Sequence, residues 1–205
     1  NNHSQLIVIG AGPGGYTAAF RAADLGLNVT LIDKSNSLGG VCLNRGCIPS
    51  KSLLHISNII NSAKDSKNLG VEFSKPNIDI NKIQNWKKSI INDLGSGIKK
   101  LAQARKIKII TGEAKFQSAN GIIINDNQNK NIIITFDYCI IATGSIPKII
   151  PHLNKLHPSI LNSTTALDIN KIPKKILIIG GGYIGLELGT VLDSLGSKVT
   201  IAEFL

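Results

Sequence analysis

The chain has 205 residues, 42% hydrophobic and 18% charged, a balance that allows a buried core and excludes a disordered polypeptide. Its formal net charge of +10 would suit nucleic acid or an anionic membrane, but lysines such as Lys64, Lys87, Lys99 and Lys174 are dispersed, without a basic run or interleaved aromatics, so the charge reads as a solvated surface. No window reaches the roughly 18 apolar residues of a membrane span, and the opening residues lack the basic and apolar regions of a secretory signal; the expectation is a cytoplasmic protein with no nucleic-acid and no membrane partner.

Residues 6–9 are an apolar strand followed by Gly10-Ala11-Gly12-Pro13-Gly14-Gly15, a helical stretch to Asp24, and a second strand at 29–32 that ends at Asp33. Helices follow from about Lys51 to Lys64 and from about Ile83 to Ala104. In the second of these Ile83, Trp86, Ile90, Ile91, Leu94, Ile98 and Leu101 recur at three- and four-residue steps, which predicts one buried apolar face. Ile-rich runs at 107–111, 121–124, 132–135 and 138–142, with turn residues at 125–127, read as strands of a small meander or hairpins. Pro147, Pro151, Pro158 and Pro173 punctuate the next stretch. The opening pattern then returns: a strand at 176–179, Gly180-Gly181-Gly182-Tyr183-Ile184-Gly185, a helix to Leu195, and a strand at 199–202 ending at Glu203. First glycine to acid spans 10 to 33 in one copy and 180 to 203 in the other, 23 positions in each. The expected fold is α/β with two Rossmann-like dinucleotide-binding units, divided as 1–146 and an incomplete 147–205.

A glycine turn between a strand and a helix, with an acid ending the next strand, is the pattern that dinucleotide binding requires. Gly10 and Gly180 make the turn, Gly12 and Gly182 let backbone approach a pyrophosphate, and Gly15 and Gly185 let helix and strand pack closely. Asp33 and Glu203 would each accept hydrogen bonds from a ribose diol. An acid at 203 favours a free 2′-hydroxyl, hence NAD over NADP.

The segment Gly39-Gly40-Val41-Cys42-Leu43-Asn44-Arg45-Gly46-Cys47-Ile48-Pro49-Ser50-Lys51 carries two cysteines five apart before a helix, with Pro49 near its first turn. A helix N-terminus and a cation such as Lys51 stabilise a thiolate there, suiting the pair to thiol–disulfide exchange. A zinc site is the poorer reading, because Cys139, His3, His55, His152 and His157 form no second ligand pair; a structural disulfide is disfavoured by the absence of secretory features. Cys139 reads as a buried small hydrophobe. No metal is expected.

On these residues the chain resembles the two-dinucleotide-binding disulfide reductase family of flavoproteins. Gly39 to Lys51 is similar to the family's redox-active signature, and Ser50-Lys51-Ser52-Leu53-Leu54-His55 resembles the dihydrolipoamide-oxidising branch more than the glutathione reductases. Ala142-Thr143-Gly144, Ser163-Thr164 and Ala166-Leu167 are further matches. The resemblance implies FAD on the first repeat and NAD on the second. By position it assigns Gly10, Gly12, Gly14 and Gly15 to the FAD pyrophosphate, Asp33 and Lys34 to its ribose, and Gly40, Val41 and Cys42 to the flavin side. Ala114 would lie at the adenine, and Thr143, Gly144 and Ser145 would make the remaining FAD contacts. Lys51 would lie beside the flavin and pair with Glu187; Gly180, Gly182, Tyr183, Ile184, Gly185, Glu187 and Glu203 would hold NAD. Cys42 would be the interchange thiol and Cys47 the flavin-facing thiolate, with Cys42–Cys47 disulfide-bonded at rest. The implied partners are the lipoyl-bearing acyltransferase component of 2-oxo acid dehydrogenase complexes and a second copy in a homodimer. A mercuric reductase-like enzyme and a truncated FAD-binding protein without turnover are the alternatives. Asp33 stands where the family usually has Glu, and Arg45 where it commonly has a small apolar residue. The family's general-base His and its Glu partner have no counterpart in this stretch, so the fragment alone is not expected to turn over.

Overall fold

An uninterrupted apolar run such as Leu6-Ile7-Val8-Ile9 leaves no strand face for water, so it needs cover on both sides. In a computed structural model of the chain, which describes residues 2–126, 130–148, 150 and 157–204, this run lies in β1 (His3–Ile9) and is covered in that way. Asn127, Pro151 and His152, named above, fall outside the described residues. Backbone contacts group the chain into two units, residues 1–44 with 91–146 and residues 45–90 with 147–205.

In the first unit β1 is followed by α1 (Pro13–Asp24), β2 (Val29–Asp33), β3 (Lys108–Ser118), β4 (Gly121–Asp126) and β5 (Asn131–Ile141). The strands close into a ring in the order β1-β2-β3-β4-β5. Pairing is parallel for β1 with β2 and β5 and for β2 with β3, and antiparallel for β3 with β4 and β4 with β5. The expected strands at 132–135 and 138–142 are two halves of β5. Its first half pairs with β4 and its second with β1, the partners changing at Thr135, which faces both Gly121 and His3. Ile7, Ile32, Ile110, Ile122, Ile124, Ile134 and Phe136 fill one core cluster, with Cys139 packed against it. Leu6, Val8, Val29 and Leu31 point the other way and pack with Ala19 and Ala22 of α1 and with Ala102. Each of the larger side chains among these, the Leu, Ile, Val and Phe, contributes about 1.5–3 kcal/mol.

Two helices continue across the boundary between the units: α2 (Gly40–Arg45) and α4 (Ile80–Ala104). In α4 the expected apolar stripe holds in part, Ile83 and Ile98 packing against core clusters, and is corrected at its larger members. Trp86, Leu94 and Leu101 are 38%, 45% and 50% exposed, whereas the buried positions are Gln84, Lys87 and Ala102. Burial follows the row Lys87, Ile91, Gly95, Ile98, Ala102, whose small members let the helix approach its neighbours closely; Gly95 faces a leucine, Leu43.

The second unit holds α3 (Cys47–Asp65), β6 (Lys175–Ile179), α5 (Tyr183–Ser194) and β7 (Lys198–Ala202), with β6 and β7 parallel. Leu188 and Val191 on one side of α5, with Leu195 at its C-terminal cap, pack with Leu53 of α3 and with Leu167. A half-buried polar seam runs beside them: the Ser57 and Ser194 hydroxyls lie 2.6 Å apart, and the Asn61 amide donates to Ser194 Oγ at 3.1 Å. Lys87 is 1% exposed; its ammonium donates to the Leu167 carbonyl and pairs with Asp168 at 2.6 Å, while the Gln84 amide also donates to that carbonyl at 3.1 Å. Among the described residues no helix is long and apolar enough to cross a membrane.

Candidate functional site

The two glycine turns carry the same hydrogen bonds 170 residues apart. Gly10 N–H donates to the Ile32 carbonyl at 2.7 Å and Gly180 N–H to the Ala202 carbonyl at 2.8 Å. Gly10 and Gly180 have φ of +102° and +107°, a region that disfavours side chains. A methyl group on Gly15 would strike the Gly10 carbonyl, and one on Gly185 the Gly180 carbonyl, so each helix can lie against its own turn only with glycine there.

Each acid that ends the second strand reaches back to its turn. Asp33 accepts from Ala11 N–H at 2.6 Å and from Ser35 N–H at 2.8 Å. Glu203 accepts from Gly181 N–H and from Phe204 N–H, the latter at 2.7 Å. The helices behind the turns, α1 and α5, have Gly12 and Gly182 as caps, with no side-chain capping bond and no acid in the first turn. Their N-termini therefore keep donors and a positive dipole end for an anion. Space beside Gly14 and beside Gly182 is open. These two turns fit the pyrophosphate of a dinucleotide.

Around the first turn the chain brings together three expected segments. Gly39 N–H donates to the Ala11 carbonyl at 2.8 Å, and Ala142 N–H to the Ile9 carbonyl at 2.8 Å. Gly40, with φ of +59°, sits where a side chain would meet the backbone of Gly12, and the Ala142–Thr143 backbone lies against Gly10. Thr143, Gly144, Ser145, Val41 and Lys34 are exposed. Ala114 lies on β3 opposite Ile124 and packs, partly buried, against the cluster inside the strand ring.

The cysteines divide between two helices, rather than both standing at the start of the one expected near Lys51. Cys42 is half-buried within α2, and Cys47, exposed, is the first residue of α3. The helix begins earlier than expected because Pro49 fits its first turn, where no N–H is needed. Cys47 and Lys51 stand one turn apart on the same side of α3. Lys51 Nζ is 2.5 Å from Glu187 Oε1 of α5, as the resemblance implied. The hydrogen bond from Lys51 holds the Glu187 carboxyl below its ordinary value, helped by Ser50 and opposed by partial burial. Glu187 in turn raises Lys51, with a smaller contribution in the same direction from the neighbouring Cys47 sulfur. Burial pushes the Cys139 thiol up, in keeping with a packing role. Among the described residues no group of three or more His, Cys, Asp or Glu side chains gathers as a metal site would.

Ser50 escaped the sequence reading as a site residue. It is buried, and its hydroxyl lies 3.1 Å from Glu187 Oε2. A serine inside a redox motif gave no signal of its own, since the contact depends on an element 137 residues away.

Doubled nucleotide turns, with a cysteine at the head of a helix and an ion pair one turn on, define a nucleotide-dependent disulfide oxidoreductase fold. The chain belongs to the pyridine nucleotide-disulphide oxidoreductase family, whose profile matches residues 4–205. More particularly, it is 46% identical over 200 residues to a dihydrolipoyl dehydrogenase of Vibrio parahaemolyticus and 50% identical over 200 residues to that of Buchnera aphidicola subsp. Schizaphis graminum. Each match covers 98% of this chain and 42% of the relative's length. A solved structure, the Cu(II) complex of the HOCl-induced flavoprotein disulfide reductase RclA from Escherichia coli, superposes with a TM-score of 0.85 at 30% identity, over 99% of this chain and 43% of that one. The chain thus spans less than half the length of the proteins it matches.

Proposed function

We propose that this chain is the amino-terminal part of a flavoprotein that reoxidises protein-bound dihydrolipoamide to lipoamide and reduces NAD+ to NADH. In this reading residues 1–146 hold FAD and residues 147–205 begin the NAD-binding domain. The observation that carries the reading is the Cys47–Lys51–Glu187 arrangement, one turn of α3 joined to α5, in a chain 46–50% identical to dihydrolipoyl dehydrogenases.

The residues take the following parts. Gly12, Gly14 and Gly15 present backbone N–H groups to the FAD pyrophosphate and Gly10 makes the turn that lines it, with Gly40, Val41 and Cys42 beside the flavin and Thr143, Gly144 and Ser145 adjoining. Asp33 and Lys34 serve its ribose, and Ala114 the adenine. Gly180, Gly182, Tyr183, Ile184, Gly185 and Glu203 hold NAD. Cys42 and Cys47 form a disulfide in the oxidised protein. A dihydrolipoamide thiolate attacks Cys42, Cys47 leaves as thiolate, and closure of the lipoamide ring releases Cys42, so two electrons and two protons leave the substrate. The N-terminus of α3 and the Lys51 ammonium stabilise the Cys47 thiolate. FAD, when bound, supplies the two-electron chemistry between dithiol and nicotinamide. The full-length protein would act as a cytoplasmic homodimer on the lipoyl-bearing acyltransferase of a 2-oxo acid dehydrogenase complex.

The test is the visible spectrum of the full-length protein, recorded anaerobically before and after dihydrolipoamide, with Cys47→Ser as control. The expected result is a long-wavelength thiolate–flavin band absent from the variant, and NADH on adding NAD+. A flavin spectrum indifferent to dihydrolipoamide would overturn the lipoamide reading.

A further inference from the structure

Both oxygens of the Glu187 carboxylate are taken by adjacent residues of α3. Lys51 Nζ holds Oε1 at 2.5 Å and the Ser50 hydroxyl lies 3.1 Å from Oε2. The two grips differ. Lys51 is more than half exposed on a long flexible stem, while Ser50 is buried on a short one at the base of the same turn. An exposed ammonium alone leaves a carboxylate free to rotate about its last bonds; a second donor from a fixed position sets its plane.

Ser50 has one proton and two acceptors in reach, since the Cys47 carbonyl also lies 3.1 Å from its oxygen. Hydrogen bonds to an ionised acceptor are roughly twice as strong as those between neutral groups. The proton therefore goes to Glu187 while that side chain is ionised, and falls back to the Cys47 carbonyl, the usual bond of a serine inside a helix, when Glu187 is protonated or absent.

We propose that Ser50 is a positioning residue: by donating to Glu187 Oε2 it fixes the carboxylate that holds Lys51, and so keeps the Lys51 ammonium on the Cys47 side of α3. The inference rests on the function proposed above and adds a residue to it. The charged side chain that meets Glu187 is Lys51, with Ser50 as its neutral partner; Cys47 on α3 and Tyr183 on α5 are the titratable groups that act in turn on Lys51.

The experiment uses the full-length FAD-loaded protein with Ser50→Ala, Ser50→Thr, Glu187→Ala and the Ser50→Ala/Glu187→Ala double variant. Steady-state kinetics with NAD+ are accompanied by titration of the Glu187 carboxylate by 13C resonance. Ser50→Ala should lower kcat about tenfold, with KM for NAD+ and FAD content unchanged, and should move the Glu187 titration to higher pH. Ser50→Thr, which keeps the hydroxyl, should recover both within about threefold. In the Glu187→Ala background Ser50→Ala should cost nothing further, the signature of a residue acting through its partner. An unmoved Glu187 titration in Ser50→Ala, or additive losses in the double variant, would overturn the proposal for Ser50 alone. Unchanged kcat in Glu187→Ala would overturn it together with the role given to the Lys51–Glu187 pair. If Ser50→Ala does not fold, a Ser50→Thr protein that fails to keep the Glu187 titration and kcat near those of the unsubstituted protein overturns it.

Discussion

At the scale of single residues, Asp33 and Glu203 show how one side chain shapes a turn and still offers itself to a ligand. Each carboxylate already accepts an N–H from its own glycine turn, and each carboxylate oxygen can accept more than one bond. Glu203→Ala is therefore expected to weaken NADH binding about tenfold or more in the full-length protein and leave FAD content unchanged, because the second turn alone loses its anchor. Isothermal titration with NADH, beside the flavin absorbance of the purified protein, checks this; equal loss of both ligands would show the two turns assigned the wrong way round. The glycines and acids were legible in the sequence because a turn with φ above +100° and a helix pressed on its own turn leave few residue choices. Ser50 was not, because hydroxyls serve many ends and its partner is set by long-range packing.

At the scale of elements, α4 marks where periodicity misleads. Its apolar residues suggested the buried face, and Ile83 and Ile98 do pack on the core, yet Trp86, Leu94 and Leu101 stay exposed and full burial fell on Gln84, Lys87 and Ala102, because close approach rewards small side chains and because a carbonyl, that of Leu167, called for donors. The Lys87–Asp168 pair gives an asymmetric prediction. Asp168→Ala removes the counter-charge from a buried ammonium and should cost about 3 kcal/mol, the low end for a broken buried pair since Asp168 is itself largely exposed. Lys87→Met removes the charge itself, leaves the Leu167 carbonyl to Gln84, and should cost less than about half as much. Urea midpoints of the two full-length variants decide; a larger loss for Lys87→Met would mean that packing of the lysine stem, not its charge, holds the Thr165–Asp168 turn. Strand order was half legible. The Ile-rich runs announced strands, but that two of them join into one strand, β5, with an antiparallel partner along its first half and a parallel one along its second cannot be read from local pattern.

At the scale of the molecule, the doubled β-α-β grammar announced two nucleotide-type repeats from spacing alone, since a repeat is a local property written twice. The grouping of residues 45–90 with 147–205 was not legible, since it depends on which helices α3 meets. The polar seam joining Ser57 and Asn61 to Ser194 ties together segments far apart in the chain, and that separation has a consequence during synthesis. A ribosome adds about 5–20 residues per second, so α3 emerges on the order of ten seconds before α5, the helix that covers Leu53 and the seam. During that interval the first unit can close its ring while α3 waits with apolar and hydroxyl groups exposed, a window in which a chaperone or a protease finds it. Ribosome-bound chains arrested just after β5 should be cut by protease within residues 45–90 and resist once α5 has emerged; equal resistance at both lengths would mean that α3 finds shelter elsewhere in the nascent chain.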